Sequence, residues 1–140
     1  MPSPTSWSAY TDTPLSDSNS INSLLWGTNW VSGALTYSFP TTGSVWSTSF
    51  TSGYGSSTGA GEPWTSGYDT SSSSDRIYTP QILEKGANVA NLTFTQISDT
   101  PALVGDIRFA YTYLASHDAA AAWVADFPGP KASAGDIWFN

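Results

Sequence analysis

The 140-residue sequence has no cysteine, one histidine, and only four lysines and arginines in total. The absence of cysteine excludes disulfides, thiolate metal sites and a cysteine nucleophile. Nucleic acids and anionic membrane surfaces bind clustered cations, and these four are scattered, so neither is an expected partner. No apolar run approaches the roughly 20 residues of a membrane-spanning helix, so membrane insertion is not expected either.

The chain is acidic, with a net charge of -7, yet only 11% of its residues are charged. Aromatic residues make up 14%, which supplies much of the hydrophobic core of a single domain of this length. Solubility then depends on serine, threonine, asparagine and glycine. The first residues do not form a basic segment followed by an apolar one, so the sequence predicts no classical N-terminal signal peptide.

A short motif, Gly-Asp-Ile-x-Phe, occurs twice in the last third of the chain, at 105–109 and at 135–139. In each copy the isoleucine and the phenylalanine are two residues apart, so they lie on one face of a strand. We therefore expect the two copies to form two strands of one sheet. The remaining segments are expected to build onto that sheet.

The alternation of apolar and polar residues predicts further strands as well. The full set of predicted strands is 34–39, 91–97, 106–111, 121–125 and 135–139. Ile21, Leu24 and Leu25 predict a short helix that ends at Gly27. Thr79 and Pro80 predict the start of a second helix, near 80–89. Strands and helices in this order indicate an α+β or mixed α/β fold, with helices packed on one sheet.

Two segments are expected to be irregular. Residues 1–16 are rich in serine, threonine and proline and predict a flexible N-terminal arm. The composition of 41–75 shifts to serine, threonine, glycine and aromatics, which indicates a long loop insertion. The domain proper is expected over 17–140.

The reactive side chains do not form a complete active site. One possible metal site would consist of His117, Asp118 and Asp126. The favoured interpretation is that His117 is an ordinary loop histidine. A Ser-His-Asp triad is formally possible because serine is abundant, but it is not the favoured interpretation. Asp106 and Asp136 each begin a predicted strand, where hydrogen bonding at the strand end is favoured over paired-carboxylate glycosidase chemistry.

Blocks of the sequence resemble, in the same order, the serralysin family of secreted bacterial zinc metallopeptidases, which are metzincins. The first helix of the family resembles Ser20-Ile21-Asn22-Ser23-Leu24-Leu25-Trp26-Gly27, and its third and fifth strands resemble the two copies of the Gly-Asp-Ile-x-Phe motif. The first strand is similar to 35–40, the second to 89–95, and the edge strand to 123–129. The resemblance implies that 17–140 is the N-terminal part of a metallopeptidase catalytic domain. It also implies a five-stranded twisted mixed sheet with two helices and an antiparallel edge strand.

The family cleaves peptide bonds with zinc-activated water, held by a His-Glu-x-x-His-x-x-Gly-x-x-His helix downstream of the fifth strand. This sequence does not contain that motif, so the resemblance implies no catalytic and no metal-ligating residue here and no activity for this chain alone. It implies a fragment truncated before the active-site helix. Zinc, calcium in C-terminal repeats, and a C-terminal export signal would belong to the full-length protein. Two differences from the family are the short helix at 80–89 and the loosely matching segment 41–75.

One part of the substrate site would still be present. In the family the edge strand pairs with an extended protein or peptide substrate. By resemblance, Ala121, Ala122, Trp123 and Val124 would offer their backbone groups to that substrate. A strand that only completes the sheet is the alternative.

Two other functions remain open from the sequence. One is a secreted, non-catalytic module that binds carbohydrate or peptide with the aromatic residues of 41–75. The other is an inactive homologue of the family that ends at Asn140. A truncated domain would expose apolar sheet surface, so we expect marginal stability and self-association in that case.

Overall fold

The computed structural model describes residues 2–15, 17–18, 27–57, 62–65, 68–112, 122–124 and 126–140. These residues contain eight strands and one helix. In chain order the elements are β1 (Tyr10–Asp12), β2 (Thr28–Trp30), β3 (Ala34–Ser38), β4 (Asp69–Thr70), α1 (Ser73–Ala90), β5 (Thr93–Gln96), β6 (Ile107–Tyr111), β7 (Ala122–Val124) and β8 (Asp136–Phe139).

Five strands of the main sheet follow one another in the order β5-β3-β6-β8-β7, and the two-residue β4 lies off this path. β3 is parallel to β5 and to β6, and β6 is parallel to β8. β7 is antiparallel to β8 and lies at the end of the sheet. The short β4 pairs with β6 in the antiparallel direction. The predicted α+β class and the mixed five-stranded sheet with an antiparallel edge strand are confirmed.

The two copies of the Gly-Asp-Ile-x-Phe motif lie side by side as β6 and β8. Their register is offset by two residues, with Phe109 opposite Ile137 and Ala110 opposite Trp138. The glycines permit a close approach of backbones at the start of each strand. A Cβ at Gly105 would lie 2.6 Å from the Ser38 nitrogen, and one at Gly135, where φ is +89°, would overlap the Asp106 carbonyl oxygen.

One face of the sheet, which we call the helix face, packs against α1. Its buried cluster consists of Tyr37, Phe39, Ile107 and Phe109. Leu83 of α1 and Phe94 of β5 pack against this cluster. Because these positions alternate along the strands, one face collects the large apolar side chains. This packing joins α1 to β5, β3 and β6.

The opposite face, which we call the loop face, is covered by the aromatic segment that follows β3. Trp46, Ala110 and Trp138 form its buried cluster, and Trp138 is completely inaccessible to solvent. Tyr54, Trp64 and Tyr68 pack against them. The described parts of the predicted insertion, 41–57, 62–65 and 68–75, therefore form the second layer of the core. The last residues of the insertion form β4 and the start of α1.

The helix predicted near 80–89 is confirmed, but it begins at Ser73, seven residues before the predicted first residue. Ser72 is its N-cap: the Ser72 Oγ accepts a hydrogen bond from the Asp75 N–H, and the Asp75 carboxylate accepts one from the Ser72 N–H. This capping box satisfies two backbone donors and outweighs the proline signal. Pro80 lies inside the helix, so the predicted start at Thr79 is wrong.

The N-terminal segment makes contacts with the domain at several points. β1 pairs with β2, and the Pro2 carbonyl accepts a hydrogen bond from the Val104 N–H at 3.0 Å. The predicted first helix falls mainly on 19–26, outside the described residues. Within the described ranges, no helix is both long enough and apolar enough to cross a membrane.

Candidate functional site

The predicted substrate strand lies at the free end of the main sheet. β7 pairs with β8 through Ala122 opposite Phe139, Trp123 opposite Trp138 and Val124 opposite Ile137. Among the described residues, no other strand pairs with the outer side of β7. Alternate N–H and C=O groups of an edge strand point away from its neighbour, so they can pair with another extended chain.

The described part of this edge is short. Ala121, the fourth predicted contact residue, lies outside the described residues, and Val124 is half-buried. Three residues offer only one or two pairs of outward backbone groups. Backbone pairing here would therefore need additional contacts with side chains of the bound peptide.

Directly behind this edge, on the loop face, lies a buried acid. The Asp136 Oδ2 accepts a hydrogen bond of 2.6 Å from the Tyr54 hydroxyl. That hydroxyl accepts a hydrogen bond of 3.0 Å from the Trp138 Nε1. The three side chains join the aromatic segment to β8, the strand that holds β7.

Burial dominates the chemistry of Asp136. Only 2% of the residue is exposed, and desolvation raises the pKa of its carboxyl to about 7, although nearby Arg108 and the Tyr54 hydroxyl oppose the shift. Burial also raises the pKa of the Tyr54 hydroxyl well above its usual value. A shifted acid often marks a catalytic site, but catalysis requires access to substrate. Its burial assigns Asp136 to the internal support of β8.

A buried ion pair lies on the same face. The Arg108 guanidinium contacts both oxygens of Asp99, with Nε 2.9 Å from Oδ2 and Nη2 3.1 Å from Oδ1. It also lies over the Trp46 ring, with Cζ 3.6 Å from the centroid. Asp99 receives further hydrogen bonds from the Ser38 and Ser44 hydroxyls. The pair ties the aromatic segment and the β5–β6 loop to β6.

Asp106, the aspartate of the first motif copy, has a structural role. Its Oδ2 accepts hydrogen bonds from the Thr36 N–H at 2.6 Å and the Thr36 hydroxyl at 2.7 Å. Its Oδ1 accepts one from the Ser8 hydroxyl. This agrees with the interpretation that the motif aspartates make hydrogen bonds at strand starts.

The described residues contain no group of three or more histidine, aspartate or glutamate side chains that could hold a metal ion. His117 and Asp118 fall outside the described residues. Asp126, the third member of the possible site, lies 2.5 Å from the Lys131 ammonium group.

The aromatic residues of 41–75 do not form an exposed platform. Trp46 is 6% exposed and contacts Tyr54 and Tyr68 edge-to-face, with ring centroids 5.7 and 6.1 Å away. Phe50 is exposed and is not among the residues that pack against this cluster. A carbohydrate platform requires coplanar accessible rings, so this packing disfavours the carbohydrate-binding alternative.

Sequence reasoning missed the Asp99–Arg108 pair and the Tyr54–Asp136 contact. A signal for the first was present, because Arg108 interrupts an otherwise apolar strand and a buried guanidinium needs a partner. Its partner Asp99 is nine residues away, across a turn. Tyr54 and Asp136 are 82 residues apart, and neither carries a local signal of the other.

Comparison with known proteins adds no relative: no family model, no curated protein and no solved structure matches the chain.

Proposed function

We propose that this chain forms the substrate-edge part of the catalytic domain of a secreted zinc metalloendopeptidase. In this proposal β7 holds an extended peptide by backbone pairing, and zinc bound by residues outside this sequence would supply the activated water for cleavage. The observation behind it is the position of β7, at the edge of the sheet and antiparallel to β8. This is the arrangement that the family resemblance implies for its substrate strand.

Two further observations support the proposal. The strands found at Ala34–Ser38, Thr93–Gln96, Ile107–Tyr111 and Asp136–Phe139 overlap the blocks that resemble the family's strands. α1 has 18 residues, so it is longer than the helix predicted near 80–89, as the resemblance implies. The zinc ligands and the general base would come from residues that are not in this sequence.

The enzyme part of the proposal is tested by sequencing the encoding DNA beyond the codon for Asn140. We expect an open frame that encodes His-Glu-x-x-His-x-x-Gly-x-x-His within a few dozen codons. A stop codon directly after Asn140 would contradict the enzyme and favour the inactive homologue. Either result leaves peptide binding by β7 to be measured separately.

Peptide binding is tested by NMR titration of the 15N-labelled chain with a hexapeptide of alternating valine and threonine. We expect shifts of the amide resonances of β7 and β8, and no shifts with the same peptide methylated at every backbone nitrogen. β5, the opposite edge of the sheet, is the internal control. Equal shifts at both edges, or shifts caused by the methylated peptide, would show that no specific pairing occurs.

A further inference from the structure

A cavity of about 310 Å³ lies where the parallel strands β3 and β5 end. Phe39 and Thr41, which follow β3, line one side, and Gln96 and Ser98 at the end of β5 line another. Arg76, in the first turns of α1, also lines the cavity. In sheets with parallel strands, ligands bind preferentially in the crevice beyond the carboxyl ends of the strands. The volume is at the lower end of the range for small-molecule sites.

The Arg76 guanidinium is held in place by neutral groups. Its Nε donates a hydrogen bond of 3.2 Å to the Ser71 carbonyl, and its Cζ lies 5.1 Å from the centre of the Phe39 ring. The first contact fixes the direction of the side chain, and the second supports the face of the guanidinium. Four of its five N–H donors belong to the two terminal nitrogens, which form the fork that binds carboxylates.

The ion pairing of Arg76 differs from that of two other cationic side chains, Arg108 and Lys131. Arg108 is paired with Asp99, and Lys131 with Asp126. Within the described ranges, Arg76 forms no ion pair with a carboxylate. Asp99 also lines the cavity, but its carboxylate is fully buried and bound by Arg108, which neutralises its charge.

We propose that this cavity binds a carboxylate monoanion, with the Arg76 guanidinium as its bidentate partner. Thr41, Gln96 and Ser98 supply hydroxyl and amide groups around the ligand. A single guanidinium matches one carboxylate in charge and geometry, whereas a phosphate dianion would lack a second cation in a chain of net charge -7. The carboxylate could belong to a free short-chain acid or to the C-terminus of a peptide.

The site is tested by NMR titration with acetate, N-acetyl-alanine and inorganic phosphate at constant ionic strength. We expect acetate to shift the amides of Thr41, Gln96 and Ser98 and the side-chain Nε–H of Arg76. Tighter binding of N-acetyl-alanine would identify a peptide C-terminus, and equal binding would identify a free acid. Tighter binding of phosphate than of acetate, or no shift at these groups, would overturn the proposal.

Two substitutions on α1 distinguish specific binding of acetate at Arg76 from an effect of the overall charge of the protein. Arg76→Gln is expected to weaken acetate binding by roughly tenfold or more, because a charge-assisted bidentate contact is lost. Lys85→Gln removes the same charge at an exposed position of α1 and is expected to leave binding unchanged. Equal weakening by both substitutions would contradict the assignment. If Arg76→Gln does not fold, the Arg76 Nε–H shift in the unmodified chain decides. These readouts involve none of the β7 or β8 amides, so the site and the proposed peptidase function stand or fail separately.

Discussion

The two copies of the repeated motif place the same residue type in two different environments. Asp106 precedes β6 and receives three hydrogen bonds, two from Thr36 and one from Ser8. Asp136 begins β8, receives a hydrogen bond from the Tyr54 hydroxyl, and is packed beneath aromatic rings. One motif therefore supports two kinds of buried carboxyl group.

The difference comes from the elements that pack beside each copy. Asp106 lies next to β3, whose Thr36 presents a backbone N–H and a hydroxyl to the carboxylate. Asp136 lies beneath the aromatic segment, which supplies one phenol and much apolar surface. The nearest cation, Arg108, is already bound to Asp99. Desolvation therefore exceeds stabilisation of the charge at Asp136 and raises its pKa.

The largest expected effect is a pH-dependent stability that Asp136→Asn removes. Burial raises the pKa of Asp136 from 3.8 to about 7, so the folded protein binds this proton more tightly than the unfolded chain does. The resulting stabilisation is fully present below about pH 4 and is lost as the pH rises to about 7. Protonation of Asp136 therefore contributes on the order of 4 kcal/mol to the free energy of unfolding at low pH. Asparagine can still accept the Tyr54 hydrogen bond but does not titrate.

The measurement is urea unfolding of the natural and Asp136→Asn chains at about pH 4 and about pH 8. Other carboxyl groups titrate in both proteins, so the difference between the two free energies isolates Asp136. We expect Asp136→Asn to become the more stable protein at the higher pH. Parallel changes in both proteins would show that Asp136 does not hold its proton in the folded state.

The next largest effect is expected from Gly135→Ala, which tests the close contact between the motif copies. A Cβ at this position would overlap the Asp106 carbonyl, and φ is +89°. Backbone strain and overlap together are expected to cost about 3 kcal/mol or more. Gly86→Ala in α1 is the matched control, since no atom other than the neighbouring helix backbone lies within 4 Å of the added Cβ. That control should stabilise the helix by up to about 1 kcal/mol. Similar thermal midpoints for the two variants would contradict the close contact.

The sequence predicted the sheet better than the helix because the two elements leave different signals. β3, β6 and β8 each present large apolar residues at every second position, and that alternation survives in the sequence. α1 has no buried residue and exposes Tyr78, Ile82 and Val89 on its outer side, so its periodicity misrepresents the packed face. Its true start depends on Ser72 and Asp75, within a serine run that resembles a loop.

The candidate site was predictable only in part. The edge position of β7 followed from a family resemblance, because strand order depends on pairing between segments far apart in the chain. The Tyr54–Asp136 contact and the Arg76 cavity arise where loops meet strand ends. Neither has a fixed spacing in sequence, so only the folded chain brings their members together.

The smallest expected effect in this comparison belongs to Asp106→Asn. The amide retains one acceptor oxygen, so it cannot accept from both Thr36 and Ser8 as the carboxylate does. Loss of a charge-assisted hydrogen bond is expected to lower the free energy of unfolding by about 2 kcal/mol. At about pH 8 this loss is opposite in sign to the increase in the free energy of unfolding that we expect from Asp136→Asn. Urea unfolding of both variants in one buffer measures the two signs directly.

Because the substitutions are chemically identical and lie in identical motifs, opposite signs would show that the packing elements, and not the motif, determine the properties of each carboxyl group. A loss of equal size at both positions would instead show that hydrogen-bond donors, and not burial, determine the properties of both carboxyl groups.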